Sequence, residues 1–124
     1  MVVGLDLAIK TVVDNARDHL GEDTVIVVSS DNGGSVFFGG LNQPLRSGKH
    51  TSWEGGVRVP AFTLDLSTGG QYLGRQGRQY HGLVHISDWL PTFLSLANHS
   101  HLIEDLDLDG LDQSYSLKKG KKVG

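Results

Sequence analysis

A short polar segment, residues 30–34 with the sequence Ser-Asp-Asn-Gly-Gly, contains the residues best suited to bind a metal ion. The carboxylate of Asp31 and the side-chain amide oxygen of Asn32 are hard ligands of the kind that calcium and magnesium prefer. The segment directly follows the β-branched run of residues 24–28, and open α/β sheets bind ligands at the carboxyl ends of their strands. A metal site at Asp31 and Asn32 is therefore one interpretation.

The same segment also allows a plain turn. An Asn-Gly pair between two apolar runs, residues 25–28 and 36–38, is a leading signal for a β-hairpin with a type I′ turn. Taken alone, the five residues favour this turn over a metal site. The metal interpretation thus depends on the rest of the chain.

Two other segments imitate metal sites. Residues 105–110 match the start of an EF-hand loop, but Ser116 stands where the bidentate glutamate is needed and no clear exit helix follows, so an EF-hand is disfavoured. Histidines occur in two close pairs, His81 with His85 and His99 with His101. Without cysteine or a His-Glu-x-x-His helix, these pairs indicate surface or turn residues rather than a zinc site.

The elements that would position these residues begin with a helix and a strand. Apolar residues at three- and four-residue steps predict an amphipathic helix over residues 2–20, with Gly21 at its end. The β-branched run of residues 24–28, which has no polar alternation, predicts a strand that is covered on both faces in a parallel sheet. A glycine-rich loop of about twenty residues follows, a length more typical of functional loops than of simple connections.

A second strand is predicted within residues 57–66, where Pro60 is tolerable only at the start or on an edge. A second helix follows an exposed connection; Ser87 or Asp88 can cap it, and Pro91 fits its first turn. Its apolar face would consist of Leu90, Phe93, Leu94 and Ala97, and His85 would support its junction with the preceding segment.

The order helix–strand–long glycine-rich loop–strand–helix predicts an α/β fold. Two strands do not complete a buried sheet, so the chain is predicted to be part of a larger domain.

Composition narrows the classes of function. The 124 residues carry a formal net charge of −3 with 11 basic and 14 acidic residues, which argues against a nucleic-acid partner. The absence of cysteine excludes a thiolate metal site and a cysteine nucleophile within this segment. We predict no membrane span, and Met1 is not followed by the pattern of a signal peptide. The basic residues 118–124 are predicted to be a disordered tail after a partial domain of residues 1–117.

Four motifs in order resemble the sulfatases, most closely the arylsulfatase B-like branch. They are Ser-Asp-Asn-Gly-Gly at residues 30–34, Pro-Leu-Arg-x-x-Lys at 44–49 with Trp-Glu-Gly-Gly-Val-Arg at 53–58, His-Ile-Ser-Asp-Trp-Leu-Pro-Thr at 85–92, and Leu-Asp-Gly-Leu-Asp at 108–112. Any one of them alone would be weak, but together they cover most of the chain. The resemblance implies a partial alkaline phosphatase-like sandwich, the fold of the sulfatases.

By position, the resemblance implies that Asp31 and Asn32 are calcium ligands and that Lys49 contacts a sulfate oxygen. Without the surrounding motifs, Lys49 would be taken as a solvated loop lysine. Glu54 and Arg58 receive no catalytic role and are predicted to pair and brace the glycine loop. The resemblance further implies hydrolysis of sulfate esters, on a sulfated sugar or an aryl sulfate, by a lysosomal or secreted enzyme.

The sulfatase nucleophile is a formylglycine made from the cysteine of Cys-x-Pro-Ser-Arg, and this segment contains no cysteine. No catalytic nucleophile is therefore predicted within residues 1–124, and the isolated chain is expected to be inactive. One alternative is a noncatalytic remnant that binds a metal or a partner. Another is a different metal-dependent relative of alkaline phosphatase with a serine or threonine nucleophile. The sequence leaves the oligomeric state open.

Overall fold

The computed structural model describes residues 2–74 and 76–120. The main elements are, in chain order, α1 (Val2–His19), β1 (Val25–Ser29), α2 (Glu54–Val57), β2 (Ala61–Asp65), α3 (Trp89–Leu96), α4 (His101–Asp105) and α5 (Ser114–Lys119). Short 3-10 turns cover Val36–Phe38 and Ile86–Asp88. The predicted order of helix, strand, long loop, strand and helix is confirmed, and the two strands form one sheet.

Helix α1 ends at His19, one residue before the predicted end, and Gly21 terminates it as predicted. The backbone N–H groups of Leu20 and Gly21 both donate to the carbonyl of Ala16, and Gly21 has a φ of +76°, which a residue without a Cβ adopts at little cost. Ala16 is the one residue of α1 that is buried. The apolar face of the helix is therefore largely open to solvent within the described residues.

The sheet differs from the predicted parallel arrangement. The N–H of Ser30 donates to the carbonyl of Pro60 at 3.2 Å, and the N–H of Leu66 donates to the carbonyl of Thr24 at 3.0 Å. Because the end of β1 pairs with the start of β2, the two strands are antiparallel. The prediction was wrong because the direction of pairing depends on how the intervening loop returns the chain, which an apolar run does not encode. Strand β1 is also only half-buried in this chain.

The hairpin that residues 25–38 could have formed is not observed. Val36–Phe38 form a 3-10 turn rather than a strand, and β1 pairs with β2 instead. The Asn-Gly pair therefore belongs to a long loop, not to a two-residue turn.

The chain divides into two compact units. One comprises residues 26–63 and contains α2 and the glycine-rich loop. The other comprises the residues up to 25 and those from 64 onward, including α1 and the helices α3, α4 and α5. In the described residues, no helix has the length and apolar character needed to cross a membrane.

Helix α3 begins at Trp89, where the sequence predicts it, but the predicted cap is wrong: Asp88 is the N-cap residue and makes no side-chain capping hydrogen bond to α3. The capping contacts belong instead to the 3-10 turn Ile86–Asp88, which follows His85. The backbone N–H of His85 donates to the carboxylate of Asp88 at 2.9 Å, and the His85 ring accepts from the N–H of Ser87. This reciprocal pair is a capping arrangement with histidine in place of serine. Asp88 is buried and also accepts from the N–H of Leu111 at 2.9 Å, so it ties the junction to the Leu-Asp-Gly segment.

The predicted apolar face of α3 is not the face that is buried. Leu90 and Phe93 are 51% and 44% exposed, whereas Pro91 and Thr92 are buried, and the Thr92 hydroxyl accepts from the N–H of Gln113. The apolar pattern correctly predicted a helix, but it did not predict which side of the helix the described residues bury.

The C-terminal part contains more helix than predicted. Helices α4 and α5 flank the residues that imitate an EF-hand, and Ser116 lies fully buried inside α5. Helix α5 includes Lys118 and Lys119, the first two residues of the predicted tail, and the Arg78 guanidinium donates to the carbonyl of Lys118 at 2.9 Å. This contact satisfies a carbonyl at the helix end, where no intrahelical partner exists. Residues 121–124 of the predicted tail lie outside the described residues.

Asp65 at the end of β2 organises the connection that follows. Its two carboxylate oxygens accept from the backbone N–H groups of Ser67, Tyr72 and Leu73 at 2.7–2.9 Å and from the Ser67 hydroxyl. The side chain is buried, and burial by itself would raise the pKa of Asp65, but these hydrogen bonds outweigh burial and hold the pKa below its ordinary value. The ionised form therefore stabilises the fold.

We expect Asp65→Asn to lower the free energy of unfolding at pH 7 by about 2 kcal/mol or more, because an amide nitrogen would face backbone donors. The charge contributes above the unfolded-state pKa of about 3.9, and its contribution is lost as the pH falls through the lower folded-state value. The difference between the wild-type protein and the variant should therefore shrink below about pH 4. Thermal unfolding across pH checks this, with the exposed Asp109→Asn as a control. A difference that persists unchanged at low pH would contradict it.

Candidate functional site

The Ser-Asp-Asn-Gly-Gly segment forms an open turn at the end of β1. Asp31 is exposed and Asn32 is half-buried. The Nδ2 of Asn32 donates to the carbonyl of Gly33 at 2.9 Å, and the Ser30 hydroxyl donates to the carbonyl of Asn32 at 3.0 Å. Because the amide nitrogen of Asn32 is engaged by the backbone, its Oδ1 is the atom left to act as a ligand.

The glycines of this unit allow backbone to pack directly against backbone. The N–H of Gly33 donates to the carbonyl of Gly56 at 2.9 Å, and the N–H of Gly55 donates to the carbonyl of Arg46 at 2.8 Å. A Cβ on Gly33 would lie 1.7 Å from the Gly55 oxygen, and a Cβ on Gly55 would lie 2.2 Å from the Ser47 oxygen. Glycine is therefore required at both positions for close approach.

Lys49 lies in the loop that this packing holds beside the turn. Its backbone N–H donates to the carbonyl of Gly34 at 3.1 Å, while its side chain is exposed. The flanking residues Ser47 and His50 have positive φ values of 66° and 75°. Non-glycine residues seldom adopt this conformation, and it often marks functional loops. One hydrogen bond therefore joins the segment carrying Asp31 and Asn32 to the loop carrying Lys49.

A cation–π contact and an ion pair lie in and near this loop. The Arg46 guanidinium stacks over the Trp53 ring at 3.5 Å from its centroid. The predicted pairing of Glu54 with Arg58 is confirmed by a 3.0 Å ion pair across α2, the helix that contains Gly55. Both partners of this ion pair are more than 60% exposed, so the pair contributes little to stability.

The donor set suits a hard cation but does not complete its shell. Asp31 offers two carboxylate oxygens and Asn32 one amide oxygen, whereas calcium takes about six to eight oxygen ligands. Within residues 2–74 and 76–120, no three His, Cys, Asp or Glu side chains are grouped so that they could hold a metal ion. If a cation binds here, further ligands have to come from elsewhere.

Asn42 is a structural participant that the sequence analysis did not identify. Its side-chain amide hydrogen-bonds with Gly34 and with the carbonyl of Ser47. The available signal was an Asn-Gln pair between two glycines and a proline, which does not indicate a partner eight residues away. Such side-chain to backbone pairing is set by the path of the loop rather than by a local pattern.

Comparison with known proteins identifies the family. The protein-family model for the sulfatases matches residues 1–99. Arylsulfatase J of Mus musculus is 42% identical over 98 residues, which cover 79% of this chain and 15% of that protein. Arylsulfatase A of Homo sapiens is 33% identical over 117 residues, which cover 89% of this chain and 21% of that protein.

The structure of Ps i-CgsB in complex with k-i-k-neocarrahexaose is similar with a TM-score of 0.82 and 31% sequence identity. The match covers 98% of this chain and 26% of that one. The chain therefore belongs to the sulfatase family, and its α/β fold is part of a sulfatase domain. It spans between 15% and 26% of the length of these three relatives.

Proposed function

We propose that this chain is part of a calcium-dependent sulfuric ester hydrolase, in which Asp31 and Asn32 bind the cation and Lys49 binds the sulfate group. The hydrogen bond from the Lys49 N–H to the Gly34 carbonyl carries the proposal, because it joins the two segments within one unit. Membership of the sulfatase family supports the reaction class.

The chemistry of these residues suits the reaction. Hydrolysis of a sulfate ester places negative charge on the sulfuryl and leaving-group oxygens, and the Lys49 ammonium can stabilise that charge at its binding position. A bound divalent cation would act as a Lewis acid on the same oxygens. Asp31 contributes a negative charge and Asn32 a neutral oxygen, which matches the preference of calcium for oxygen ligands. The cysteine-derived formylglycine of this reaction cannot lie within residues 1–124, since these contain no cysteine.

The proposed substrate is a sulfated sugar or an aryl sulfate. The relatives named arylsulfatase support the aryl ester, and the structure containing k-i-k-neocarrahexaose supports a sugar. We further propose that the enzyme acts in the lysosome or outside the cell, in keeping with the family resemblance.

Substitution of Asp31 tests the cation site in the full-length protein, with any sequence that flanks these 124 residues. We expect Asp31→Asn to lower kcat/KM for an aryl sulfate about 100-fold, because the variant loses the negative charge that binds the cation in its preorganised position. The calcium concentration for half-maximal activity should rise. Assays across a calcium titration measure both, and Asp6→Asn on the exposed face of α1 is the matched control.

The outcomes separate the possible roles. Wild-type kinetics and calcium response in Asp31→Asn would refute the ligand assignment. Absence of hydrolysis by the wild-type protein, with calcium present, would favour the noncatalytic remnant. The mass of the native protein adds a direct check, and it can be measured after capture with an antibody against residues 33–49. A mass of 13.4 kDa would also favour the noncatalytic remnant, whereas a much larger mass would favour the enzyme.

A further inference from the structure

Asn42 makes an unusual paired contact with the backbone of Gly34. Its Oδ1 accepts from the Gly34 N–H at 2.8 Å, and its Nδ2 donates to the Gly34 carbonyl at 2.8 Å. The side chain thus satisfies both backbone polar groups of one residue in the half-buried part of the loop. Only an amide side chain of this length provides a donor and an acceptor side by side.

The same amide reaches the loop that carries Lys49. Nδ2 also donates to the carbonyl of Ser47 at 3.1 Å, and the Gly34 carbonyl that it contacts accepts from the Lys49 N–H as well. Gly48 lies between these groups, and a Cβ there would be 2.6 Å from the Nδ2 of Asn42. One side chain therefore contacts residues on both segments of the candidate site.

We propose that Asn42 is a positioning residue that fixes the distance between the cation ligands and the sulfate-binding lysine. This inference rests on the proposed function. Asn42 itself touches neither the cation nor the sulfate in this proposal. Its role is to hold Gly34, two residues beyond Asn32, against Ser47, two residues before Lys49. A site that stabilises charge through both a cation and an ammonium group loses catalytic efficiency when either group shifts by a fraction of an ångström.

Asn42→Asp is the sharpest test, because it keeps the size of the side chain and replaces the donor with a second acceptor. The new oxygen would face the carbonyls of Gly34 and Ser47 and repel both. In the full-length protein we expect kcat/KM for an aryl sulfate to fall by about 10- to 100-fold. We also expect weaker affinity for inorganic sulfate, a higher calcium midpoint and faster hydrogen exchange at the Gly34 and Lys49 amides.

The matched control is Asn15→Asp. The Nδ2 of Asn15 donates to the carbonyl of Thr11 at 2.8 Å on the surface of α1, so this change makes the same substitution away from the site. Asn42→Ser, which keeps one hydroxyl donor, should lie between the wild-type protein and Asn42→Asp in every measurement. This graded series distinguishes positioning from a general loss of stability.

Two results would overturn the inference. One is wild-type amide exchange, sulfate affinity and kinetics in Asn42→Asp while Lys49→Ala is strongly impaired. The other is loss of the folded state in both Asn42 variants, which would make the residue a stability element only. If Lys49→Ala and Asp31→Asn also leave activity unchanged, the proposed function fails, and the exchange data still report whether Asn42 joins the two segments.

Discussion

Replacing Lys49 with alanine is expected to lower kcat/KM for an aryl sulfate by about 100- to 1,000-fold, the effect of removing one preorganised group that stabilises developing charge. The backbone of the lysine is held by Gly34, so its position does not depend on the side chain that is removed. The loop should therefore keep its conformation, and the loss should report the ammonium group alone. Steady-state kinetics of the full-length protein measure the effect.

The division of this loss between kcat and KM shows when the ammonium acts. If Lys49 contacts the sulfate equally in the bound substrate and in the transition state, KM rises and kcat is unchanged. If the contact strengthens as charge develops, kcat falls, which is the result we expect. Lys49→Arg keeps the charge but presents a planar fork instead of a compact ammonium, and it should recover only part of the activity.

Lys10→Ala is the matched control for Lys49. Lys10 is an exposed lysine on α1 that pairs with Asp14, so its loss removes the same charge from another part of the chain. Kinetics close to those of the wild-type protein are expected for it. Equal losses of activity in the two variants would show that the change in net charge causes the effect. Wild-type activity in Lys49→Ala would show that Lys49 is a solvated loop lysine without a role in sulfate binding.

The sequence was most informative where local rules apply. The period of apolar residues and Gly21 identified α1 and its end, and His85 was correctly placed at the junction before α3. These features depend on residues within a few positions of each other. The four spaced motifs also led to the family, which the comparison confirms over residues 1–99.

The sequence failed where structure depends on distant segments. The antiparallel pairing of β1 with β2 is set by the return path of residues 30–60, which no periodic pattern describes. Exposure of Leu90 and Phe93 shows that an apolar face identifies a helix without identifying what covers it. Asn42 was missed for a related reason, because its contacts with Gly34 and Ser47 exist only once the loop has folded.

Gly33→Ala is expected to have the largest effect of any single-methyl change in this loop. The added Cβ would lie 1.7 Å from the carbonyl oxygen of Gly55 and 3.2 Å from the Cα of Gly56, so it meets backbone rather than a flexible side chain. Relief requires Gly33 to move away from Gly56, which breaks the hydrogen bond between them. We expect a loss of about 3 kcal/mol or more in the free energy of unfolding, at the upper end of the range for overpacking.

Gly4→Ala provides the contrast. A Cβ at Gly4 meets nothing within 4 Å, and Gly4 lies inside α1, where alanine is favoured over glycine by about 1 kcal/mol. We therefore expect this change to be neutral or stabilising in thermal unfolding and without effect on activity. Gly33→Ala should instead lower activity more than Asn42→Asp, because it separates the turn that carries Asp31 from α2 directly. Wild-type stability and kinetics in Gly33→Ala would mean that the close contact between Gly33 and Gly55 is not required, and the positioning of Lys49 would then need another explanation.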